Sequence, residues 1–211
     1  MRAGRFITVE GIEGVGKSTN LRFVKEYLEQ QDLDVVMTRE PGGTTLGESL
    51  RSLLLDPHHK DMAVDTELLL MFAARAEHIA ALIRPALTRG SYVVCDRFTD
   101  ATYAYQGAGR GVPEERITLL EDWVQGGLRP DLTLLLDLPV TVGRERVAGR
   151  LGSADRFEQE EADFFQRVRD CYLARAAHEP GRFRIIDATR PLPEVQSQLA
   201  EVLAAWLEEQ S

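Results

Sequence analysis

The chain has 211 residues, of which 44% are hydrophobic and 28% charged, and it carries a formal net charge of −9. That length suffices for one α/β domain with a well-filled core, and the acidic balance weighs against sequence-independent binding to nucleic acid, which needs a basic face. No apolar run is long enough to span a membrane and the N-terminus does not resemble a signal peptide, so no nucleic-acid or membrane partner is expected and the expected location is the cytoplasm.

In chain order, Phe6 to Val9 is a short β-branched and aromatic run that predicts a buried strand. Gly11-Ile12-Glu13-Gly14-Val15-Gly16-Lys17-Ser18 follows and matches G-x-x-x-x-G-K-[ST], the Walker A phosphate loop. Its glycines admit the torsions that let successive N–H groups form a nest for phosphate oxygens, and the helix predicted from Ser18 to Gln31 adds a partial positive charge at its start. Lys17 would meet the outer phosphates, and Ser18 would hold Mg²⁺.

Asp34 to Thr38 predicts a second strand, Arg39 to Gly43 a turn, Leu46 to Leu55 a short amphipathic helix and His58 to Met62 a polar loop. Thr66 to Arg89 is a long helical stretch that Pro85 should kink or split. Tyr92 to Cys95 is a third strand ending at Asp96-Arg97, after which Gly107, Gly109 and Gly111 predict a mobile or turn-rich segment. Pro113 to Gln125 is a helix stopped by Gly126-Gly127, and Leu132 to Leu136 is a strand apolar on both faces. A helix from Val140 to Arg150, a polar break from Gly152 to Glu161, a helix from Ala162 to Ala177, a strand from Phe183 to Ile186 and a terminal helix complete the pattern. Cys95 and Cys171 form no C-x-x-C pair and read as packing residues in a reduced compartment.

Strands alternating with helices predict a doubly wound, five-stranded parallel sheet with helices on both faces. Ligands then sit beyond the carboxyl ends of the strands. The phosphate loop, Arg39-Glu40 and Asp96-Arg97 should therefore line one crevice. Asp96, at a strand end, can hold Mg²⁺ directly or through water, the alternative being an ion pair with Arg97. The chain lacks N-K-x-D and D-x-x-G, which sets aside the standard GTPase switch. Arg39, Arg75 and Arg97 instead suit an anionic acceptor. By pattern alone Phe72 reads as core sooner than as a base platform, although Arg75 stands one helical turn beyond it.

Taken together, Gly11 to Thr19, Arg39-Glu40-Pro41-Gly42-Gly43, Phe72-Ala73-Ala74-Arg75, Asp96-Arg97-Phe98, Thr102-Tyr103-Ala104-Tyr105-Gln106-Gly107, Arg129-Pro130-Asp131 and Asp155-Arg156-Phe157-Glu158 resemble the bacterial thymidylate kinase family, in its order and across almost the whole chain. The resemblance implies transfer of the ATP γ-phosphoryl group to dTMP, with Mg²⁺, in a cytoplasmic homodimer. It implies that Phe72 stacks on thymine, that Arg75 bonds O4, that Thr102 and Gln106 lie around the base, and that Tyr105 lies near the deoxyribose. Glu13 would approach the 3′-hydroxyl, Arg39 and Arg97 the acceptor phosphate, and Arg146 the adenine. The segment at about 149–161 resembles the family lid, though one residue longer than expected between Arg150 and Asp155-Arg156. None of the loop's variable positions is basic, so a lid arginine should supply the charge that transfer needs, Arg150 before Arg156. The alternatives are a kinase for another nucleotide or deoxynucleoside, or a nucleotide-binding regulator without an acceptor.

Overall fold

The computed structural model describes residues 3–148, 156–158 and 160–210. Five parallel strands form one sheet in the order β2-β3-β1-β4-β5, namely Val35–Arg39, Tyr92–Asp96, Arg5–Glu10, Leu132–Asp137 and Phe183–Asp187. Central position explains composition. β1 and β4 are buried along nearly their whole length, which suits their near-continuous apolar runs. Among their buried polar residues, Thr8 and Thr133 are register partners whose hydroxyls bond each other at 2.9 Å, so neither is left unsatisfied.

Helices cover both faces. On one, α1 (Lys17–Glu29) and α9 (Leu192–Glu209) bury Val24, Leu28, Leu199 and Leu203; α8 (Ala162–His178) lies on the opposite face, where Tyr172 bonds Glu10 of β1. On the other, Ile79, Ile83 and Ala86 pack against Phe6, Val93 and Phe98. Each fully buried aliphatic side chain contributes about 1.5–3 kcal/mol.

The long helical stretch is split as Pro85 required. α3 (Val64–His78) runs into a wide π-helical turn at Ile79–Ile83, and α4 (Arg84–Thr88) restarts with Pro85 in its first turn, where a missing N–H costs nothing. α2 spans Thr45–Leu55, α6 Glu114–Gln125 and α7 Val140–Ala148. One expectation is corrected here. The glycine-bearing stretch after β3 is not turn-rich but helical, as α5 (Thr99–Thr102) followed by a π-helical segment at Tyr103–Gly109. Gly109 is small for packing rather than for motion, because a Cβ there would lie 2.5 Å from the Phe164 ring.

Among the described residues, no helix is long and apolar enough to cross a membrane, and no three His, Cys, Asp or Glu side chains cluster as a metal site.

Candidate active site

The loop between β1 and α1 wraps as the motif demands, with Gly11, Gly14 and Gly16 all at positive φ. Its outer edge is packed backbone to backbone against α7: a Cβ on Gly14 would fall 2.2 Å from the Gly143 carbonyl oxygen, and one on Gly143 would fall 2.7 Å from that of Glu13. Lys17 folds back over the loop and donates to the carbonyls of Gly11 and Ile12 at 3.1 and 3.2 Å. Burial, then the nearby Arg97 charge, lowers its pKa to about 8. Ser18 and Thr19 stand exposed at the first turn of α1. Arg146, on α7, reaches the loop by donating to Gly14 O at 3.5 Å and is held to Ala188 O at 3.1 Å.

Asp96 and Arg97 end β3 beside this loop. The Asp96–Arg97 ion pair considered from sequence does not form. Arg97 pairs with Glu13 at 2.7 Å, and Asp96 joins no ion pair among the described residues. Asp96 Oδ1 is buried without a hydrogen-bond partner there, and an orphaned anionic oxygen suits a hydrated divalent cation. Arg97 takes φ +68°, the left-handed region, in a turn fixed by Glu10. The Glu10 carboxyl accepts from Phe98 N–H and from Tyr172 O–H, both at 2.7 Å. Burial, then the nearby Asp100 charge, raises Glu10 to about 8. Burial works the same way on Glu13, but Arg97, Lys17 and the Tyr105 hydroxyl at 2.7 Å outweigh it and hold its carboxyl below the usual range. The Arg97 guanidinium also lies 4.5 Å from the Tyr105 ring centroid.

A cavity opens beside these groups, walled by Glu13, Arg51, Arg75, Arg97, Thr102, Tyr105, Gln106 and Phe157. Its far wall is a buried polar network. Arg75 Nε donates to Glu40 Oε2 at 2.7 Å and Nη2 to Thr102 Oγ1 at 2.9 Å, while Nη1 is buried without a partner among the described residues. Glu40 also takes His78 Nδ1 at 3.0 Å, and His78 Nε2 meets Thr38 Oγ1 at 2.7 Å. A carboxylate can only accept, so Nδ1 carries the proton. Gln106 Nε2 donates to Glu67 Oε1 at 2.8 Å.

The structure thus gathers Glu13, Arg75, Arg97, Thr102, Tyr105 and Gln106 around one cavity. It places others apart. Phe72 is 2% exposed, packs with Leu68, Tyr103 and Ile117, and lies under the Arg75 guanidinium at 4.8 Å instead of lining the cavity. Arg39 is exposed and tied to Glu48 at 2.8 Å. Arg51, one turn beyond Glu48 on α2, lines the cavity in its stead and donates to Pro41 O at 2.9 Å. Arg156 does not point to the phosphate loop. It is 4% exposed, bonded to the Glu67 carboxylate and to Leu54 O at 2.9 Å. Arg150 lies outside the described residues, as does Asp155.

An anion cradle, a buried cation pair-rich wall and an orphaned carboxylate oxygen at adjoining strand ends can bring two phosphates together in line and neutralise their charge. The comparisons agree in kind. The thymidylate kinase family model matches residues 9–199. A thymidylate kinase of Pseudomonas entomophila is 60% identical, covering 98% of this chain and 98% of that protein. One of Alkalilimnicola ehrlichii is 60% identical, covering 98% and 97%. The crystal structure of thymidylate kinase from Ehrlichia chaffeensis superposes with a TM-score of 0.77 at 35% identity, covering 96% of this chain and 99% of that one.

Proposed function

The chain belongs to the thymidylate kinase family, and on that premise we propose how its residues divide the work of moving the ATP γ-phosphoryl group to dTMP, giving dTDP and ADP. The observation that carries the reading is the free, buried Nη1 of Arg75 on the wall of a cavity that also holds Arg97 and adjoins the phosphate loop. A pyrimidine with a 4-oxo group offers the acceptor this donor lacks.

ATP lies with its phosphates on the backbone of Gly11 to Thr19 and its adenine toward Arg146. Lys17 leaves its loop carbonyls for the β- and γ-phosphates. dTMP enters the neighbouring cavity, with O4 on Arg75, Thr102 and Gln106 around the base and Tyr105 beside the sugar. Phe72 backs the base platform from beneath Arg75. Arg97 and Arg51 face the acceptor phosphate, and Arg39 joins them by releasing Glu48. Glu13 turns from Arg97 toward the 3′-hydroxyl once phosphate takes that guanidinium. Ser18 and Asp96 are the residues that would hold Mg²⁺, which would supply charge neutralisation at the triphosphate. The segment at about 149–161 closes over the phosphates. Arg150 is the residue proposed to bring the missing cation there, and Arg156 holds the base of that segment. The chain acts in the cytoplasm as a homodimer, a reading supported by Leu69 on α3 and by Leu119 and Trp123 on α6, which are 55%, 70% and 82% exposed in the single chain.

Release of ADP from ATP, measured against a panel of nucleoside monophosphates, tests the assignment. dTMP should be the preferred acceptor, with dCMP rejected more strongly than dUMP, because Arg75 can only donate while a missing methyl costs about 1–3 kcal/mol. Equal turnover of dCMP and dTMP would defeat it, and acceptor-independent ADP release would indicate a nucleotide-binding regulator.

A further inference from the structure

Glu67 is a buried carboxylate on α3, 1% exposed, that touches neither phosphate loop nor strand end. Three donors converge on it: Arg156 Nη2 on Oε2, Gln106 Nε2 on Oε1 at 2.8 Å, and Arg110 Nε on Oε1 at 3.4 Å. A carboxylate held by two guanidiniums has only lone pairs to offer. Whichever way the Gln106 amide is drawn, the side turned to Glu67 must therefore be its NH₂ group. The carbonyl oxygen is what remains for the cavity that Gln106 lines.

On the same wall, Arg75 presents its free Nη1 donor. The cavity thus shows a donor and an acceptor. A 4-oxopyrimidine answers with an O4 acceptor and an N3–H donor. A 4-aminopyrimidine reverses both.

We propose that Glu67 is a positioning residue that sets base specificity, by locking the Gln106 amide with its carbonyl oxygen toward N3–H. The inference rests on the cavity being the thymine site. It also ties the base-reading amide to Arg156. The Arg156 guanidinium on Glu67 is further pinned by Leu54 O, the Arg156 backbone N–H donates to Leu55 O at 3.3 Å, and the next residue, Phe157, lines the cavity. One carboxylate therefore anchors both the amide that reads the base and the Arg156-Phe157 backbone beside the cavity.

The test uses the full chain and two acceptors, dTMP and 5-methyl-dCMP, which share the methyl group and differ in both edge groups. kcat/KM is measured for wild type, Glu67→Gln and the double variant Glu67→Gln/Arg156→Met. An amide at position 67 offers either polarity, so Gln106 becomes free to turn. The double variant removes the buried cation with the anion, so that no charge is stranded there, while Arg110 keeps Glu160 at 2.5 Å. The preference of wild type for dTMP should fall about tenfold in either variant, the size of one hydrogen bond, chiefly through a gain with 5-methyl-dCMP. A purely structural role would lower stability and leave the ratio unmoved. An unchanged ratio in a folded variant overturns the role of Glu67 while leaving the thymine site standing. Equal use of the two acceptors by wild type removes the thymine site itself. The wild-type complex with dTMP gives a check without substitution: its N3 imino proton should be protected from solvent exchange, and a freely exchanging one overturns the proposal.

Discussion

Replacing Arg75 by methionine separates what this guanidinium does for the fold from what it does for the acceptor. Arg75 and Glu40 are 3% and 6% exposed, and their 2.7 Å contact is shorter than the 3.0 Å contact Glu40 makes with His78. Methionine keeps the aliphatic bulk but leaves Glu40 with His78 alone and Thr102 without its donor. Breaking a buried pair from one side costs about 3–5 kcal/mol, a large fraction of the roughly 5–15 kcal/mol that holds a domain folded. The acceptor loses a different quantity. A hydrogen bond from a charged donor is worth about 1.5–3 kcal/mol, so kcat/KM for dTMP should fall about ten- to a hundredfold. Urea unfolding reads the first loss, and steady-state kinetics at saturating ATP reads the second. Adding Glu40→Gln should restore most of the stability, since the stranded carboxylate is gone, and none of the turnover efficiency. Wild-type kcat/KM in the single variant, or its recovery in the double variant, would refute the reasoning.

Lys17→Met should lower kcat by about 10³ and leave the unfolding midpoint in place, because among the described residues it bonds its own loop alone; near-normal turnover in the purified variant would contradict this. Glu10→Gln should change the pH dependence of stability. With Glu10 raised from 4.5 to about 8, the folded chain keeps a proton that the unfolded chain releases. That stabilisation is full below pH 4.5 and lost as pH rises to 8, so wild type should lose up to about 5 kcal/mol relative to the variant across that window; a gap independent of pH argues against it. Wild type should sediment as a dimer at micromolar concentration and Trp123→Glu as a monomer, and a monomeric wild type would rule the interface out.

The sheet was legible because its signals are local. Leu132 to Leu136 announces a doubly buried strand, and Pro85 marks its helix break within a few residues. The phosphate loop was legible because its chemistry needs one contiguous spacing. The cavity wall was harder, since its contacts join residues far apart in sequence: Arg75 and Glu40 are 35 positions apart, Gln106 and Glu67 39, Arg156 and Glu67 89. Nothing local tells which of several arginines turns inward. Arg39 and Arg51 show this, since Glu48 on α2 holds the first outside and leaves the second to the cavity. Periodicity would have put Glu67 on a helix but could not have buried it. The three glycines after β3 suggested motion because composition cannot distinguish a residue that bends from one that makes room.

Gly14 and Gly143 have a consequence for what fits between them. Their contact sets the gap between the cradle and the helix that carries Arg146 with no side chain as shim. It acts as a caliper with its jaws closed. Even alanine on either jaw would open the gap, and with adenine placed at Arg146 as proposed it would change the reach from phosphate to base, so that two residues offering the donor nothing to bind would gauge its length. A chain adapting to a different donor could not do so at Arg146 alone; it would have to reset the pair together.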